Sequence, residues 1–474
     1  MTGEVEVAPW PILLRRRLAQ RVGIDRRWAV LWVVLSGLFT TGFTITLLVV
    51  SLERIATDVG TTTTILTWAL TGPMLAFGVV GPAFGKAGDL WGHKGVFTSG
   101  LAGAAVFALL SALSWNAATL ILFRTLSATA GSACGPSALA YINRMFEPGD
   151  RVKPLGYWSF VTAGSPVIGV VVCAPLVDSV GWRAIFVVQA VLCVGGLIVA
   201  LWLLPNTDRL TGVRFDLWGS VTLGVGAAAL LAGVSQGRTW GWGSPATIGC
   251  FVLSVTSLKV FVRVEQRAAA PLVVLSWFRT RNVAFPVLSQ LLTNFAYMGG
   301  FFLIPQVLGK PRGFGFSTST VGNLVISRPL AFSIIAPLAA IVTLKVGERI
   351  AGVVGAFGLV ASMLLWGSIS LGAGYPTIIL ATALSGIGLG ISSPALTSLM
   401  ANAVAETDLG VAGAMQQLMT QLGAVLGAAV MATVSAVADH DHFGPFHAAF
   451  WVAAAVAGLG AVAAGFVRST PRAD

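Results

Sequence analysis

Charged side chains are scarce in this sequence: Asp, Glu, Lys and Arg make up 10% of its 474 residues, whereas hydrophobic residues make up 56%. The mean hydropathy is +0.85. A water-soluble domain of this length cannot bury that much apolar surface. One membrane-spanning helix needs about 20 apolar residues, so the composition allows a dozen or more of them. The composition excludes a disordered chain, a disulfide scaffold and nearly all soluble enzymes, and it predicts a polytopic membrane protein.

Cysteine and histidine are also rare, with four residues of each. The cysteines fall within apolar runs, which favours packing over disulfides or metal binding. For the segment Asp439-His440-Asp441-His442 we favour a solvated outer loop over a metal site. Glycines at 386, 388 and 390 resemble part of a nucleotide loop but lie within an apolar run, as do those at 423 and 427, so close helix packing explains them better. We expect neither enzymatic activity nor a bound cofactor.

Fourteen apolar stretches of helix length follow one another, and short loops containing Gly, Pro, Asp or Arg separate them. We predict an all-α membrane protein with fourteen transmembrane helices, spans 1 to 14 in chain order. The stretches cover residues 29–51, 65–84, 95–114, 118–142, 155–177, 184–204, 217–235, 246–264, 283–308, 317–343, 351–371, 376–400, 410–437 and 446–467.

The net charge of +11 arises from 29 Lys and Arg against 18 Asp and Glu. In a soluble protein this would suggest nucleic-acid binding, but in a membrane protein basic residues collect on cytoplasmic loops. We therefore expect no nucleic-acid partner. We also expect a multi-pass protein of the inner (plasma) membrane with both termini in the cytoplasm, because most basic residues then lie inside. The exceptions are Arg124 and Arg328 within spans, and Arg54, Arg183, Arg238, Lys310 and Arg312 outside.

Two short patterns recur at an offset of eight spans. Gly92-His93-Lys94 follows span 2 and Gly347-Glu348-Arg349 follows span 10, while Pro136-Ser-Ala-Leu in span 4 is echoed by Pro394-Ala-Leu in span 12. Repeated halves are a common transporter construction, with the pathway between them. The predicted organisation is a basic cytoplasmic segment at 1–28, a six-helix half at 29–204, two inserted helices with a cytoplasmic linker at 205–282, a second six-helix half at 283–467 and a cytoplasmic tail at 468–474.

No carboxylate falls at the middle of a predicted span, whereas span 4 and span 10 each contain an arginine. A charge inside the membrane is costly, so it normally faces a cavity or a partner. For Arg124 we favour a role in coupling or substrate binding, with Glu53 as candidate counter-ion; the alternative is helix packing through backbone carbonyls. For Arg328, which precedes Pro329, both a pathway role and a structural role at the proline kink stay open.

The loop between spans 2 and 3, Gly85-Lys-Ala-Gly-Asp-Leu-Trp-Gly-His-Lys94, is the strongest local signal. Its glycines allow a sharp turn and close helix approach. Asp89 can cap a helix or pair with a basic residue across a cytoplasmic gate, so we favour a gate latch over a turn with solvated charges. In span 13, Gln416 and Gln417 either line a polar cavity or form hydrogen bonds between helices.

These motifs resemble those of the fourteen-span drug:proton antiporters of the major facilitator superfamily, over nearly the whole chain. The loop between spans 2 and 3 is similar to the superfamily's loop motif, Arg124 to its span 4 arginine motif, and span 5 to its antiporter motif. Two departures stand out, because Leu90 replaces an arginine and the family's span 1 aspartate falls at about Thr44. The matching residues are Gly85, Asp89, Gly92 and Lys94 in the loop, and Gly156, Gly164, Pro166 and Gly169 in span 5.

The resemblance implies two six-helix halves plus two inserted helices, and export of hydrophobic, amphipathic or cationic compounds by alternating access, driven by the proton-motive force. The span 1 aspartate is a usual proton carrier in that family. Its replacement leaves Glu53 as candidate titrating carboxylate, and makes lipid or metabolite translocation without proton coupling the alternative. A membrane-embedded enzyme and a non-transporting receptor are less favoured. We expect a monomer whose partners are a small amphipathic substrate, protons and membrane lipids.

Overall fold

The apolar stretches form helices, because a helix satisfies its own backbone N–H and C=O groups where water is absent. The computed structural model describes residues 25–44, 54–66, 68–147, 150–207, 216–268, 275–309, 313–405, 408–436 and 444–468. The first ten helices are α1 (Arg26–Gly42), α2 (Thr63–Leu66), α3 (Trp68–Trp91), α4 (His93–Ala112), α5 (Ala117–Gly131), α6 (Cys134–Met145), α7 (Val152–Val180), α8 (Arg183–Leu203), α9 (Leu217–Trp240) and α10 (Pro245–Glu265).

A short 3₁₀-helix, Leu275–Arg279, leads into the C-terminal part of the chain. Its seven helices are α11 (Arg281–Gly309), α12 (Thr318–Val325), α13 (Ser327–Val346), α14 (Glu348–Ser368), α15 (Tyr375–Asn402), α16 (Leu409–Ala436) and α17 (Gly444–Gly465).

Eleven helical segments in the described part of the chain are long and apolar enough to cross a membrane. This supports an all-helical multi-pass membrane protein. Helices overlap every predicted stretch, but α1, α3 and α7 are not among the eleven, so the count of fourteen spans and the inserted pair stay predictions. Two predicted spans each comprise two consecutive helices. Span 4 forms α5 and α6, joined at Ser132 and Ala133, and span 10 forms α12 and α13, joined at Ile326; the joining residues keep right-handed helical φ and ψ, so each span stays continuous.

The helices form an N-terminal group, α1–α8, and a C-terminal group, α11–α17. In the first group α4 packs on α5 and α8, and α1 packs on α6, α7 and α8; in the second, α15 packs between α13 and α14, and α11 packs on α16 and α17. The two groups meet where α7 contacts α13 and α3 contacts α16, with further contacts of α6 on α16 and α7 on α15. Helix α9 contacts α10, α3 and α16, so it lies beside this seam.

One end of the bundle, which we call the basic end, carries the helix ends near residues 91–93, 145–152, 203–217, 346–348, 402–409 and 465–468. Hydrogen bonds such as that from Tyr141 Oη to the Pro205 carbonyl link these ends. Two turns at the basic end repeat each other. Gly92 precedes α4 with φ +95°, and Gly347 precedes α14 with φ +93°. This backbone conformation favours glycine, so the recurring Gly-X-X pattern corresponds to a recurring turn.

Candidate transport pathway and gate

Arg124 lies in the middle of α5 and is 4% exposed. Its Nη1 donates a hydrogen bond to Oγ1 of Thr44, at 3.1 Å. Its Cζ lies 5.3 Å from the ring centroid of Phe186 in α8. Within the described ranges its Nε has no hydrogen-bond partner. The guanidinium therefore joins α5 to α8 and to the residues after α1 through a hydroxyl and an aromatic ring.

Thr44 is the position at which the family resemblance locates a proton-carrying aspartate. The hydrogen bond shows that this position does face Arg124. A threonine hydroxyl donates and accepts hydrogen bonds but carries no charge in the physiological pH range. Glu53, the predicted counter-ion, lies outside the described residues.

Arg328 lies in the first turn of α13 and has no exposed surface. Its Nη2 donates to the backbone carbonyl of Tyr297, and its Cζ lies 4.0 Å from the centroid of the Tyr297 ring. Two glycines make room for it. A methyl group on Gly300 would lie 3.2 Å from Nη1, and one on Gly386 would lie 2.0 Å from the Arg328 carbonyl oxygen. These contacts, all within the C-terminal group, favour the packing role over a pathway role.

Amide side chains connect α11, α15 and α16. Gln416 Nε2 donates to Oγ1 of Thr397, and Gln290 Nε2 donates to the Ser393 carbonyl at 3.3 Å. Gln416 therefore bonds between helices, as one alternative predicts. The neighbouring Gln417 points its amide at α6, because a methyl group on Gly135 would lie 2.4 Å from Gln417 Oε1. The two glutamines thus lie at different contacts, one inside the C-terminal group and one at the seam.

Asp89 lies at the basic end of α3 and is 1% exposed. Its Oδ1 lies 3.0 Å from His93 Nε2 and accepts a 3.4 Å hydrogen bond from Arg144 Nη2. Gly88 makes room for the imidazole, because a methyl group there would lie 2.2 Å from His93 Nδ1. Asp89 therefore ties α3 to α4 and α6, within the N-terminal group. Lys94 of the same motif donates to the Leu201 carbonyl at 2.9 Å and ties α4 to α8.

The other two residues of the predicted gate motif are glycines with different positions. Gly85 is buried within α3, and Gly92 forms the turn before α4. The backbone N–H after this turn, that of His93, donates to Oγ1 of Thr207 at 2.8 Å. The motif thus fixes the loop between α3 and α4 against the segment that follows α8.

Contacts across the seam at the basic end involve residues that the sequence analysis did not single out. Arg151 Nη1 donates to Oδ1 of Asn402 at 2.9 Å and to the Ala401 carbonyl at 3.3 Å. Asp408, just before α16, is within electrostatic range of Lys86 and Asp89 in α3. Burial raises the pKa of Asp408, while Lys86 lowers it and Asp89 raises it. These residues fall at span ends, where sequence alone does not distinguish a contact from a solvated charge.

Apolar contacts close the same seam. A methyl group on Gly413 would lie 3.0 Å from Leu139 Cδ1, so α16 runs directly against α6. Together with the Arg151 hydrogen bonds, this contact holds the two helix groups together at the basic end. The structure therefore shows this end closed.

Helix α7 carries the predicted antiporter motif and lies between α1 and α13. A methyl group on Gly156 would lie 2.9 Å from the Ala336 carbonyl oxygen, and one on Gly164 would lie 3.1 Å from Ser333 Oγ. These two glycines therefore lie on the face of α7 that contacts the C-terminal group. Pro166 and Gly169 also belong to α7, but their side-chain surroundings are outside the described part.

Two minor predictions are confirmed. A methyl group on Gly388 would lie 2.6 Å from the Gly355 carbonyl oxygen, and one on Gly427 would lie 2.0 Å from that of Phe295, so these glycines serve close packing. Cys134 and Cys193 are buried thiols, and Cys250 is a half-buried one; none of these three forms a disulfide. The surroundings of Cys173 and the segment 439–442 lie outside the described residues.

Comparison with known proteins identifies relatives with similar sequences. The chain is 31% identical to the tetracenomycin C resistance and export protein of Streptomyces glaucescens over 88% of its own length and 78% of that protein. It is 30% identical to the puromycin resistance protein pur8 of Streptomyces alboniger, over 88% of this chain and 84% of that one. It is 24% identical to the multidrug transporter protein MdtP of Bacillus subtilis, over 81% of this chain and 71% of that one.

Solved structures show the same fold. The human organic anion transporter MFSD10 superposes with a TM-score of 0.70 at 18% identity, over 93% of this chain and all of that one. A mutant of XylE superposes with a TM-score of 0.71 at 14% identity, over 94% and 96% of the two chains. The family model of the Major Facilitator Superfamily matches residues 34–315 and 287–474. The chain therefore belongs to the major facilitator superfamily.

Proposed function

We propose that this protein is a proton-coupled exporter of hydrophobic or amphipathic small molecules, of the fourteen-span drug:proton antiporter type. The observation that carries the proposal is the 31% identity with a resistance and export protein over 88% of the chain. Relatives named for puromycin resistance, actinorhodin transport and methylenomycin A resistance support the same direction of transport.

The geometry is consistent with alternating access. Polar contacts across the seam lie at the basic end, where Arg151 donates to Asn402 and to the Ala401 carbonyl. Glycines 156 and 164 bring α7 and α13 into close contact and leave few side chains to hinder sliding. In the proposed cycle the Asp89 loop steadies the closed inward gate, and the seam opens at this end to admit substrate. Glu53 remains the proposed proton carrier, with Arg124 as its coupling partner.

One observation favours a second function, uniport of a lipid or metabolite without proton coupling. The described partner of Arg124 is the hydroxyl of Thr44 and not a carboxylate. A pathway without a titrating group near its arginine cannot exchange a proton there. The two functions differ in whether a pH gradient drives transport.

The test uses the purified full chain in liposomes with an imposed pH gradient, and follows two lipophilic dyes, one cationic and one neutral. Gradient-driven movement of either dye, lost in Glu53→Gln and in Arg124→Ala, is the expected result. Active movement without any dependence on the gradient would support the uniporter instead. Control liposomes with dissipated gradients, and variants checked for an unchanged gel-filtration profile, separate loss of coupling from loss of folding.

A further inference from the structure

The guanidinium of Arg124 has more donors than its described surroundings can satisfy. An arginine has five N–H donors, and burial of a cation is tolerated only when they are paired. In the described part of the chain, Nη1 donates to Thr44 Oγ1 and Nε has no acceptor. The Phe186 ring attracts the cation but accepts no conventional hydrogen bond. The described residues around Arg124 therefore supply no anion.

Two carboxylates of the N-terminal group with described side chains bind other residues. Asp58 accepts a 2.9 Å hydrogen bond from Trp182 Nε1 and lies 3.7 Å from Arg183 Nη1. Asp89 is held at the basic end by His93 and Arg144. Residues 45–52, which follow Thr44, contain no acidic side chain, and Glu53, the proposed proton carrier, leaves the charge of Arg124 uncompensated whenever it is protonated. The described residues leave the charge of Arg124 to be met by something that binds.

The chemistry of the site selects the charge of its ligand. Nε and an Nη of one guanidinium form a planar fork that matches the two oxygens of a carboxylate. The Thr44 hydroxyl can turn to donate a further hydrogen bond to such an anion. Next to them Phe43, Leu120 and Phe186 belong to one buried apolar cluster, which suits an apolar body attached to the acidic group. A cationic ligand would be repelled.

We propose that Arg124 and Thr44 bind the acidic group of the exported compound, so that the substrate is an amphipathic organic acid. This inference rests on the proposed export function and narrows its substrate class. Arg124 then recognises the substrate directly, and Thr44 sets the preference by placing a hydroxyl and not a carboxylate against the arginine.

The test compares three probes that share one aromatic body: pyrenebutyrate, its methyl ester and pyrenebutylamine. Binding to the full chain in phosphatidylcholine nanodiscs is followed by quenching of tryptophan fluorescence. The acid should bind at least about tenfold more tightly than the ester or the amine, as expected for charge-assisted hydrogen bonds. Arg124→Gln should remove this preference and leave binding of the ester unchanged.

A second pair of variants does not depend on removing the arginine. Thr44→Asp supplies an internal counter-ion and should weaken acid binding by about tenfold, whereas Thr44→Asn, which has the same shape without the charge, should weaken it much less. Arg183→Gln removes an exposed positive charge from α8 and serves as the control for a general charge effect.

Equal binding of the three probes, or equal effects of Thr44→Asp and Thr44→Asn, would overturn the proposal. So would loss of acid binding in nanodiscs that contain phosphatidylglycerol, because the anion would then be a lipid headgroup. Binding does not require a gradient, so these outcomes are independent of the proposed function. Gradient-driven flux of the ester would leave the export function standing even if the acid preference were absent.

Discussion

The N-terminal and C-terminal helix groups each contain one buried arginine, and the two differ in what holds them. Arg124 contacts side chains from two other parts of its group, the hydroxyl of Thr44 and the ring of Phe186. Arg328 binds the carbonyl of Tyr297 in α11 and stacks on its ring, while Gly386 of α15 packs against the backbone of Arg328. Both guanidiniums have N–H groups without a partner in the described residues, Nε in Arg124 and Nε and Nη1 in Arg328, so the two arginines differ in backbone packing and not in hydrogen-bond satisfaction.

The turns at the basic end also differ. Gly92 and Gly347 have nearly the same φ, but the residues around them are not alike. Before Gly92, Asp89 is buried against His93 and Arg144. After Gly347, Glu348 is half-buried in the first turn of α14 with no ion pair in the described part of the chain. The same backbone turn therefore adjoins a buried charged cluster at Gly92 and an ordinary helix N-terminus at Gly347.

Replacing each arginine by methionine should have the largest effect, and it should distinguish a role in transport from a role in helix packing. Arg124→Met should reduce gradient-driven flux at least about a hundredfold, ~2.7 kcal/mol, as for loss of a buried charged partner. Arg328→Met should keep flux within about threefold, because an apolar side chain of similar length often replaces a buried charge without cost. Initial dye flux in liposomes measures both. Equal losses in two well-folded variants would make Arg328 a pathway residue and contradict the comparison.

Adding a methyl group next to each arginine tests the packing difference directly. In Gly386→Ala the new methyl would lie 2.0 Å from the Arg328 carbonyl oxygen, so two backbones must separate. We expect a loss of about 2 kcal/mol of stability, typical of overpacking. In Gly72→Ala the methyl would meet only Thr125 Oγ1, a side-chain atom that can move, and the loss should be smaller.

Thermal unfolding of the two glycine variants and the wild type in detergent measures how much stability each variant loses. Gly458 provides the matched control, because a methyl group there meets nothing within 4 Å and alanine favours the helix. A Gly72→Ala variant as unstable as Gly386→Ala would show that the surroundings of Arg124 are as rigid as those of Arg328.

Hydropathy and charge predict the positions of the helices well, since a membrane helix needs a long apolar run and little else. They do not predict the changes in helical hydrogen bonding at Ser132 and Ile326, because an apolar window stays apolar through such a change. They also do not reveal which side chains meet. The sequence pairs Arg124 with Glu53, and the hydrogen bond from Arg124 to Thr44 emerges only from the fold.

The contacts that close the basic end could not be read from the sequence for a different reason. Lys86 falls inside the predicted gate loop, and Asp408 falls in the loop between predicted spans 12 and 13, so each carries a weak signal. Their proximity depends on α3 packing against α16, which are separated by more than 300 residues of chain. Charged residues at span ends are usually solvated, so pairing them requires the fold.

Neutralising the carboxylate of each repeated turn should have a moderate and unequal effect. Asp89→Asn removes the charge that His93 and Arg144 share, and we expect flux to fall about tenfold, the equivalent of one charge-assisted hydrogen bond. Glu348→Gln should change flux less than about twofold, because a helix-end charge contributes only a few tenths of a kcal/mol. Both rates are measured in liposomes with equal protein. Equal effects would mean that the two turns serve the same purpose.

The smallest expected effect concerns Asp408 and the pH dependence of closure at the basic end. Burial raises the pKa of Asp408 in this closed structure above that of a solvated carboxyl. A carboxyl with a raised pKa disfavours the closed state while it is ionised, so closure should strengthen as pH falls through that pKa and weaken as pH rises. The closed population should therefore be larger at acidic pH than at neutral pH.

Spin labels on Glu147→Cys and Ala405→Cys, both exposed and on opposite sides of the seam, report the distance across the basic end. The distance distribution should shift toward the short distance as pH falls. In Asp408→Asn this shift should be lost, although the contact between His93 and Asp89 stays in place on the α3 side. A shift of equal size in that variant would assign the pH dependence to the buried Asp89 cluster. The charged residues that make closure depend on pH would then all lie in the N-terminal group, which would increase the difference between the two helix groups.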